Sequence, residues 1–290
     1  MIRIITTEVE RGCLCPDRKF RQIEEVLGKE NVCLHIMDES NIDSKLETFD
    51  KEDIILSETK NYKILDAVRW AGMRNTAERI QTVKTDEDKL LLKMALAYKV
   101  RTPRTADPLG KNPGFCNYFV KPLMLEDSIG IDGGSLCDSF DDAKARAMKI
   151  REVYGYPAIC EEYISGEDVT CAVVSGENGL YSALPIIINP NAEDPFLSYN
   201  AKNDNKETYT SVNDEELAKR IKEAAIRVAR IIGINHYARI DMRVMDGIPY
   251  VLEVNCYPGL SNTGYMFRCF QICERLDYKE FLQRILATAR

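Results

Sequence analysis

Hydrophobic and polar positions set out the elements of the first 75 residues. "MIRIITT" is a short apolar run that predicts a strand. "DRKFRQIEEVLG" (17–28) spaces its apolar residues as a helix does and ends in Gly. "VCLHIM" (32–37) and "DIILSE" (53–58) predict further strands, and "NYKILDAVRWAGM" (61–73) an amphipathic helix. Strand, helix, strand, strand, helix predicts a small α/β lobe built on a parallel sheet. In "TDEDKLLLKMALAYKVRTPRT", Thr85 followed by Asp88 predicts a helix N-cap, and the proline of "RTPRT" stops the helix. "GKNPG" (110–114) breaks the chain before the strand "NYFVKP" (117–122). Strands at 156–164, 168–175 and 180–188 follow. So do two long helices, one capped by Ser139 and closed by Gly155, the other running from Asn213, with Glu216 at the capping-box position, to Gly233. The polar stretch 189–212 is long for a connection inside a compact domain, and such loops are usually functional or mobile.

The clearest alternation lies near the end of the chain. In "YARIDMRV" (237–244), Ala238, Ile240, Met242 and Val244 face one way and Arg239, Asp241 and Arg243 the other. In "YVLEVN" (250–255), Val251, Glu253 and Asn255 are read onto one face. "MDGIP" between them carries an Asp-Gly turn signal. A hairpin must bring the polar faces together, because a one-residue slip would bury Arg and Asp in the core. A three-residue loop, Asp246 to Ile248, then pairs Asp241 with Glu253 and Arg239 with Asn255. Two carboxylates, an amide oxygen and an arginine converge on one patch. Adjacent unpaired carboxylates repel, and a divalent cation such as Mg²⁺, which favours hard oxygen ligands, removes the conflict. The other reading, solvated cross-strand salt bridges between Arg239, Asp241, Arg243 and Glu253, stands level with it on these strands alone.

Composition narrows the function classes. The chain has 290 residues, 45% hydrophobic and 29% charged, with a net charge of −7, so no global basic field draws it to nucleic acid or an anionic membrane. No segment approaches the roughly 20 apolar residues of a membrane span, and the start lacks the apolar core of a signal peptide. A cytoplasmic protein is expected, with small-molecule rather than nucleic-acid or membrane partners and with room for a homodimer. The ten cysteines form no CxxC pair, and Cys160, Cys171 and Cys256 sit in apolar runs as small hydrophobes. Cys13 and Cys15 read as loop cysteines, with a redox or metal role as the alternative.

An anionic ligand would therefore need local cations and a cover. Lys121 ends the strand "YFVKP". "LMLEDSIGIDGG" places Ser128, Gly130, Gly133 and Gly134 in a loop whose N–H groups suit phosphates. "AICEEYISGED" adds Glu161, Glu162 and Glu167 around a Gly turn. Each alone also reads as an ordinary hairpin or solvated face. Their order is more specific. With "DEDK" (86–89), "SYNAK" (198–202), "YARIDMRV" and "YVLEVNCYPGLS", they resemble the ATP-grasp enzymes, and among these the D-alanine–D-alanine ligase type, over residues 85 to about 268.

The resemblance implies an α/β (α+β) ATP-grasp fold of three lobes with ATP between two antiparallel sheets. The expected divisions are 1–84 as a small first lobe, 85–180 as linker helix and central lobe, and 181–290 as the C-terminal lobe with the metal site. It implies phosphate contacts from Lys89 and Lys121, closed over by the Ser128 loop. Adenine would meet Glu161, Glu162 and the backbone near Ile164, and Glu167 would take the ribose hydroxyls. Lys202 would act from a lid on 189–212. Asp241, Glu253 and Asn255 would bind two Mg²⁺ ions, with Mn²⁺ as a substitute, and Arg239 would stabilise a tetrahedral intermediate. The implied activity joins a carboxylate to an amine through an acyl phosphate. A kinase of the same fold, which would favour a basic substrate pocket, and a non-catalytic nucleotide-binding protein are the alternatives. The chain departs from the pattern in three ways. Gly264, followed by Tyr265, stands where these ligases place a serine for the second amino acid's carboxylate. The first-lobe glutamate that holds the first amine has no clear match in Glu8 or Glu10. The first lobe is short, as in the RimK and LysX types. Substrate contacts are therefore expected from Gly259, Ser261, Asn262, Gly264, Tyr265 and Arg268, in a pocket that takes D-alanine poorly.

Overall fold

The computed structural model describes residues 1–13, 16–126, 128–176, 179–189 and 207–290, with side chains at 11–18 excluded. Lys202, and the lid role expected of it, lie outside the described residues, as does Cys15 together with the Cys13 side chain.

The first lobe is a parallel sheet in the order β2 (Val32–Ile36), β1 (Ile2–Thr6), β3 (Ile54–Ser57), β4 (Arg74–Asn75). Parallel strands covered on both sides carry apolar residues in succession, and Ile4 and Ile5 are both fully buried. Ile4 and Leu56 pack with Phe20 and Ile23 of α2 (Pro16–Leu27), which follows α1 (Glu8–Cys13). Ile5 and Ile55 pack with Ile64, Leu65 and Val68 of α4 (Tyr62–Trp70), which follows the short α3 (Ile42–Leu46).

The linker is two helices rather than one, α5 (Ile80–Glu87) and α6 (Lys89–Leu96). The expected cap at Thr85 is corrected: Thr85 lies inside α5, where its hydroxyl donates to the Gln81 carbonyl. Asp88 itself caps α6, accepting from the N–H groups of Leu90 and Leu91.

The central lobe is an antiparallel sheet ordered β5 (Thr105–Ala106), β8 (Ala158–Glu162), β6 (Tyr118–Pro122), β7 (Leu136–Cys137). It is backed by α7 (Phe140–Tyr154), capped by Ser139 and closed by Gly155 in the left-handed region. The third sheet, also antiparallel, is ordered β11 (Thr208–Ser211), β10 (Tyr181–Asn189), β9 (Glu167–Ser175), β12 (Tyr237–Met245), β13 (Ile248–Asn255). Strand β9 pairs only within this third sheet, so the chain passes from one sheet to the other near Gly166. Helix α8 (Glu215–Ile232) covers one face, capped by Asp214, one residue later than expected. Helices α9 (Tyr265–Cys273) and α10 (Tyr278–Leu286) cover the other. Burial on both faces explains why β9 is buried at every position after its first.

At Gly166 the chain passes so close to β12 that a Cβ would stand 1.9 Å from the Val244 carbonyl oxygen. Backbone cannot yield as a flexible side chain does. Gly166→Ala is expected to destabilise the protein by about 1–3 kcal/mol, seen as a lower midpoint in urea denaturation. An unchanged midpoint would show that the two strands move apart freely.

Candidate functional site

The β12–β13 hairpin is where the polar patch is built. The expected three-residue loop is corrected. Met245 pairs with Ile248, leaving only Asp246 and Gly247 in the turn. Both have positive φ, 53° and 71°, the requirement of a type I′ turn. A two-residue turn alone would have offset the polar faces, but a β-bulge restores them: Met242 pairs with Val251 and Asp241 with Glu253, leaving Leu252 as the extra residue. Arg239 then faces Asn255. The bulge also corrects the face of Val251, which is fully buried in the core.

The patch is not a solvated salt-bridge network. Arg239 donates to both oxygens of Asp241, from Nε at 3.0 and 3.2 Å and from Nη2 at 2.8 Å. The Thr170 hydroxyl donates to Asp241 Oδ1 at 2.6 Å. Burial disfavours the Arg239 charge, but Asp241 outweighs it and holds the guanidinium firmly protonated. Arg243 turns to Asp168, with Nε 3.0 Å from its carboxylate. Asn255 Oδ1 accepts from the Tyr257 N–H. Among the described residues no three His, Cys, Asp or Glu side chains converge as a metal site; the third hard donor here is the Asn255 amide. A carboxylate offers about four lone-pair positions; Arg239 and Thr170 bring three donor hydrogens to Asp241, one of them shared between its two oxygens, which leaves room for one further partner. The oxygen set of Asp241, Glu253 and Asn255 therefore fits a hard divalent cation.

Two cavities meet at this patch. The first lies between the central and third sheets and is lined by Lys121, Ser128, Glu161, Ile164, Asp241 and Glu253, among others. Glu161 is buried between Lys121, at 2.9 Å, and Lys93, at 3.0 Å. Burial opposes its charge, yet Lys121 and Lys93 hold it below the ordinary carboxylate range. Glu162, also on this wall, is clamped by the Arg104 guanidinium at 2.8 and 2.7 Å. Ser128 has φ of 60° and Gly130 of 76°, so the loop takes a conformation that side chains resist, which is common where backbone N–H groups are turned toward a ligand. Two expected contacts shift. Glu167 is exposed, whereas its neighbour Asp168 is buried and lines the cavity. The buried Lys89 ammonium donates to the carbonyls of Leu123, at 3.4 Å, and Leu125, at 2.6 Å, beneath the loop.

The second cavity opens among all three lobes. Arg239, Asn255, Gly259, Thr263, Gly264 and Tyr265 line it from the third lobe. Tyr265 lines both cavities. Glu10, Glu58, Lys60 and Tyr62 line it from the first lobe. Lys60 is buried against Asp86, at 2.7 Å, and also pairs with Glu126. Burial pushes the Asp86 carboxyl upward, against the pull of Lys60. Three expected substrate contacts are not on this wall: the Ser261 hydroxyl lies 3.4 Å from that of Thr263, the Asn262 N–H donates to Gln22, and Arg268 donates to Gln271.

Lys93 was missed. In "KLLLKMAL" a lysine reads as the polar edge of an amphipathic helix, but this one is buried. Besides Glu161 it donates to the carbonyls of Val251, at 3.0 Å, and Leu252, at 3.1 Å, the two residues at the bulge. One ammonium thus ties the first cavity's floor to the strand that carries Glu253. Burial lowers its pKa to about 8, against the pull of Glu161. Lys93→Met is expected to cost about 3 kcal/mol of stability in urea denaturation, the scale for breaking a buried ion pair. A loss below about 0.5 kcal/mol would show that the amine holds nothing in place.

Comparison with known proteins gives one consistent result. Residues 113–287 match the family model described as D-ala D-ala ligase C-terminus. A D-alanine--D-alanine ligase of Bacillus anthracis is 35% identical over 133 residues, 45% of this chain and 41% of that protein. One from Clostridium perfringens is 27% identical over 210 residues, 69% of this chain and 66% of that protein. The matches thus span about two fifths to two thirds of these curated relatives. Among solved structures, the Bacillus anthracis D-alanine--D-alanine ligase superposes with a TM-score of 0.74 at 22% identity, covering 99% of this chain and 96% of that one. Its complex with ATP gives 0.73 at 21% identity, over the same shares of both chains.

Proposed function

The chain belongs to the D-ala D-ala ligase C-terminus family and has the ATP-grasp fold, and from that premise we propose that it is an ATP-dependent carboxylate–amine ligase. The observation that carries the reading is the meeting of two cavities at one patch: Asp241 and Glu253 line the first, and Arg239 and Asn255 line the second. ATP occupies the first cavity, its γ-phosphate toward the patch. The acid and the amine occupy the second. The structure solved with ATP in a relative supports the nucleotide assignment.

Each residue has a part. Glu161 and the backbone beside Ile164 meet the adenine, and Asp168 replaces Glu167 as the group nearest the ribose. Lys121 and the Ser128 loop hold the phosphates, with Lys89 beneath the loop. Asp241, Glu253 and Asn255 would hold Mg²⁺, which when bound neutralises phosphate charge. The carboxylate oxygen of the acid attacks the γ-phosphorus, ADP leaves, and an acyl phosphate forms. The amine nitrogen then attacks the carbonyl carbon, phosphate leaves, and the amine's proton is lost. Arg239, at the boundary of the cavities, faces the oxyanion of the tetrahedral intermediate. Positioning and charge stabilisation carry this chemistry, and no protein nucleophile is needed.

The second cavity also weighs against the kinase reading. A kinase acting on an anionic substrate calls for a basic pocket, and this one is lined by Glu10, Glu58, Glu87, Glu126 and Glu207 against Lys60 and Arg239. The test is ADP release from ATP and Mg²⁺ across a panel of carboxylates and amines, with hydroxylamine added to trap an acyl phosphate as a hydroxamate. Acid-dependent hydroxamate is the expected result. ADP release that yields a phosphate ester and no hydroxamate would instead make the protein a kinase.

A further inference from the structure

The carboxylates of the second cavity are not equally compensated. Glu58 is paired with buried Lys19, and Glu126 with Lys60, which also holds Asp86. Glu10, Glu87 and Glu207 have no ion pair among the described residues, only neutral donors. Glu10 accepts from the Thr7 hydroxyl and the Lys60 N–H, and Glu87 from the Tyr62 hydroxyl. Glu207 accepts from the Tyr265 hydroxyl on both oxygens, at 2.8 Å each, and from the Tyr209 hydroxyl at 2.8 Å.

Glu207 stands apart from the other two. It is only 9% exposed, and it is hydrogen-bonded to Tyr265, which lines both cavities beside the patch. Two guanidiniums lie on the faces of these tyrosines, Arg239 at 5.3 Å from the Tyr265 ring centre and Arg268 at 5.7 Å from that of Tyr209. Arg239 is ion-paired with Asp241 and Arg268 donates to the Gln271 amide, and among the described residues neither makes an ion pair with Glu207. Among the described residues Glu207 thus meets neutral donors alone; a buried carboxylate so held is costly, and a cation brought by a ligand removes that cost. A substrate carboxylate in the same place would meet like charge beside the buried Glu207.

We propose that the amine substrate is dibasic: one amine attacks the acyl phosphate, and a second, protonated ammonium docks on Glu207 between Tyr209 and Tyr265. This rests on the ligase reading and names the substrate class within it. Simple monobasic α-amino acids, whose carboxylate would approach Glu207, are poor acceptors.

The experiment uses the full chain with ATP and Mg²⁺. ADP release is measured with lysine, ornithine, 2,3-diaminopropionate and 1,3-diaminopropane against alanine of either hand, serine and aspartate, singly and in pairs. A dibasic amine is expected to give the highest kcat/KM. Glu207→Gln, which keeps acceptor capacity for a tyrosine hydroxyl, is expected to raise KM for that amine by about tenfold or more, with KM for ATP unchanged and the Tm equal or higher. Glu207→Asp recovers part of the loss. Alanine or aspartate as the best acceptor, or a Glu207→Gln variant that weakens every amine alike, would overturn the dibasic assignment and leave the ligase reading standing. No amine-dependent ADP release with any pair would overturn both.

Discussion

Glu253→Gln is expected to reduce ATP turnover by about three orders of magnitude or more while leaving the fold intact. The substitution keeps the shape of the side chain and removes its charge. Its neighbours Val251 and Val254 are buried in the core and do not depend on that charge, so the hairpin and its bulge should persist. The charge itself has two uses. It completes the oxygen set with Asp241 and Asn255, and an amide oxygen is a much weaker ligand for a hard dication. It also favours the ammonium of buried Lys89, whose pKa burial already lowers. Loss of Glu253 therefore removes negative charge from the metal side and weakens a cation beneath the phosphate loop. The measurements are kcat by coupled ADP release, Mn²⁺ affinity by titration, and thermal melting. A variant with more than a tenth of wild-type turnover and normal Mn²⁺ binding would reduce the patch to a structural ion-pair cluster.

Much of the site was legible because strand alternation is a strong constraint. Arg239, Asp241, Glu253 and Asn255 were placed opposite one another by the requirement that polar faces coincide. Two features of the hairpin offset each other. The loop is one residue shorter than expected, and Leu252 is a bulge that absorbs the difference. Bulges leave little signal in composition, so alternation alone assigns Val251 to the polar face, whereas it is buried in the core. The shift from Glu167 to Asp168 has the same origin: in a stretch of adjacent acids, only the register of β9 against β12 shows which one turns inward. Lys93 and Glu207 were missed for a different reason. A charged residue in an amphipathic helix or a polar stretch reads as solvated, and only tertiary packing reveals its burial. The helix caps at Ser139, Gly155 and Gly233 were readable because capping is local, with partners at most a few residues away.

Arg239→Lys is expected to lower kcat by about 10²–10³-fold with KM for ATP little changed. The guanidinium spans two tasks. Its Nε and Nη2 are bound to Asp241, and its face lies against the Tyr265 ring at 5.3 Å. Held this way on the wall of the second cavity, the fork still presents donors toward the place where an oxyanion forms. A lysine ammonium has the charge without the fork. It can neutralise Asp241 or reach the oxyanion, but it cannot do both from one strand position. Lysine is therefore the informative substitution. Arg239→Met would leave the half-buried Asp241 beside Glu253 without its cation, at a cost of about 1–3 kcal/mol in stability, and a fall in activity would then have two explanations. A lower kcat with unchanged KM for ATP marks an interaction made in the transition state rather than in nucleotide binding. If the lysine variant turns over as fast as the wild type with the same Tm, Arg239 serves only as the counter-ion of Asp241, and the oxyanion must be met by another donor in the cavity.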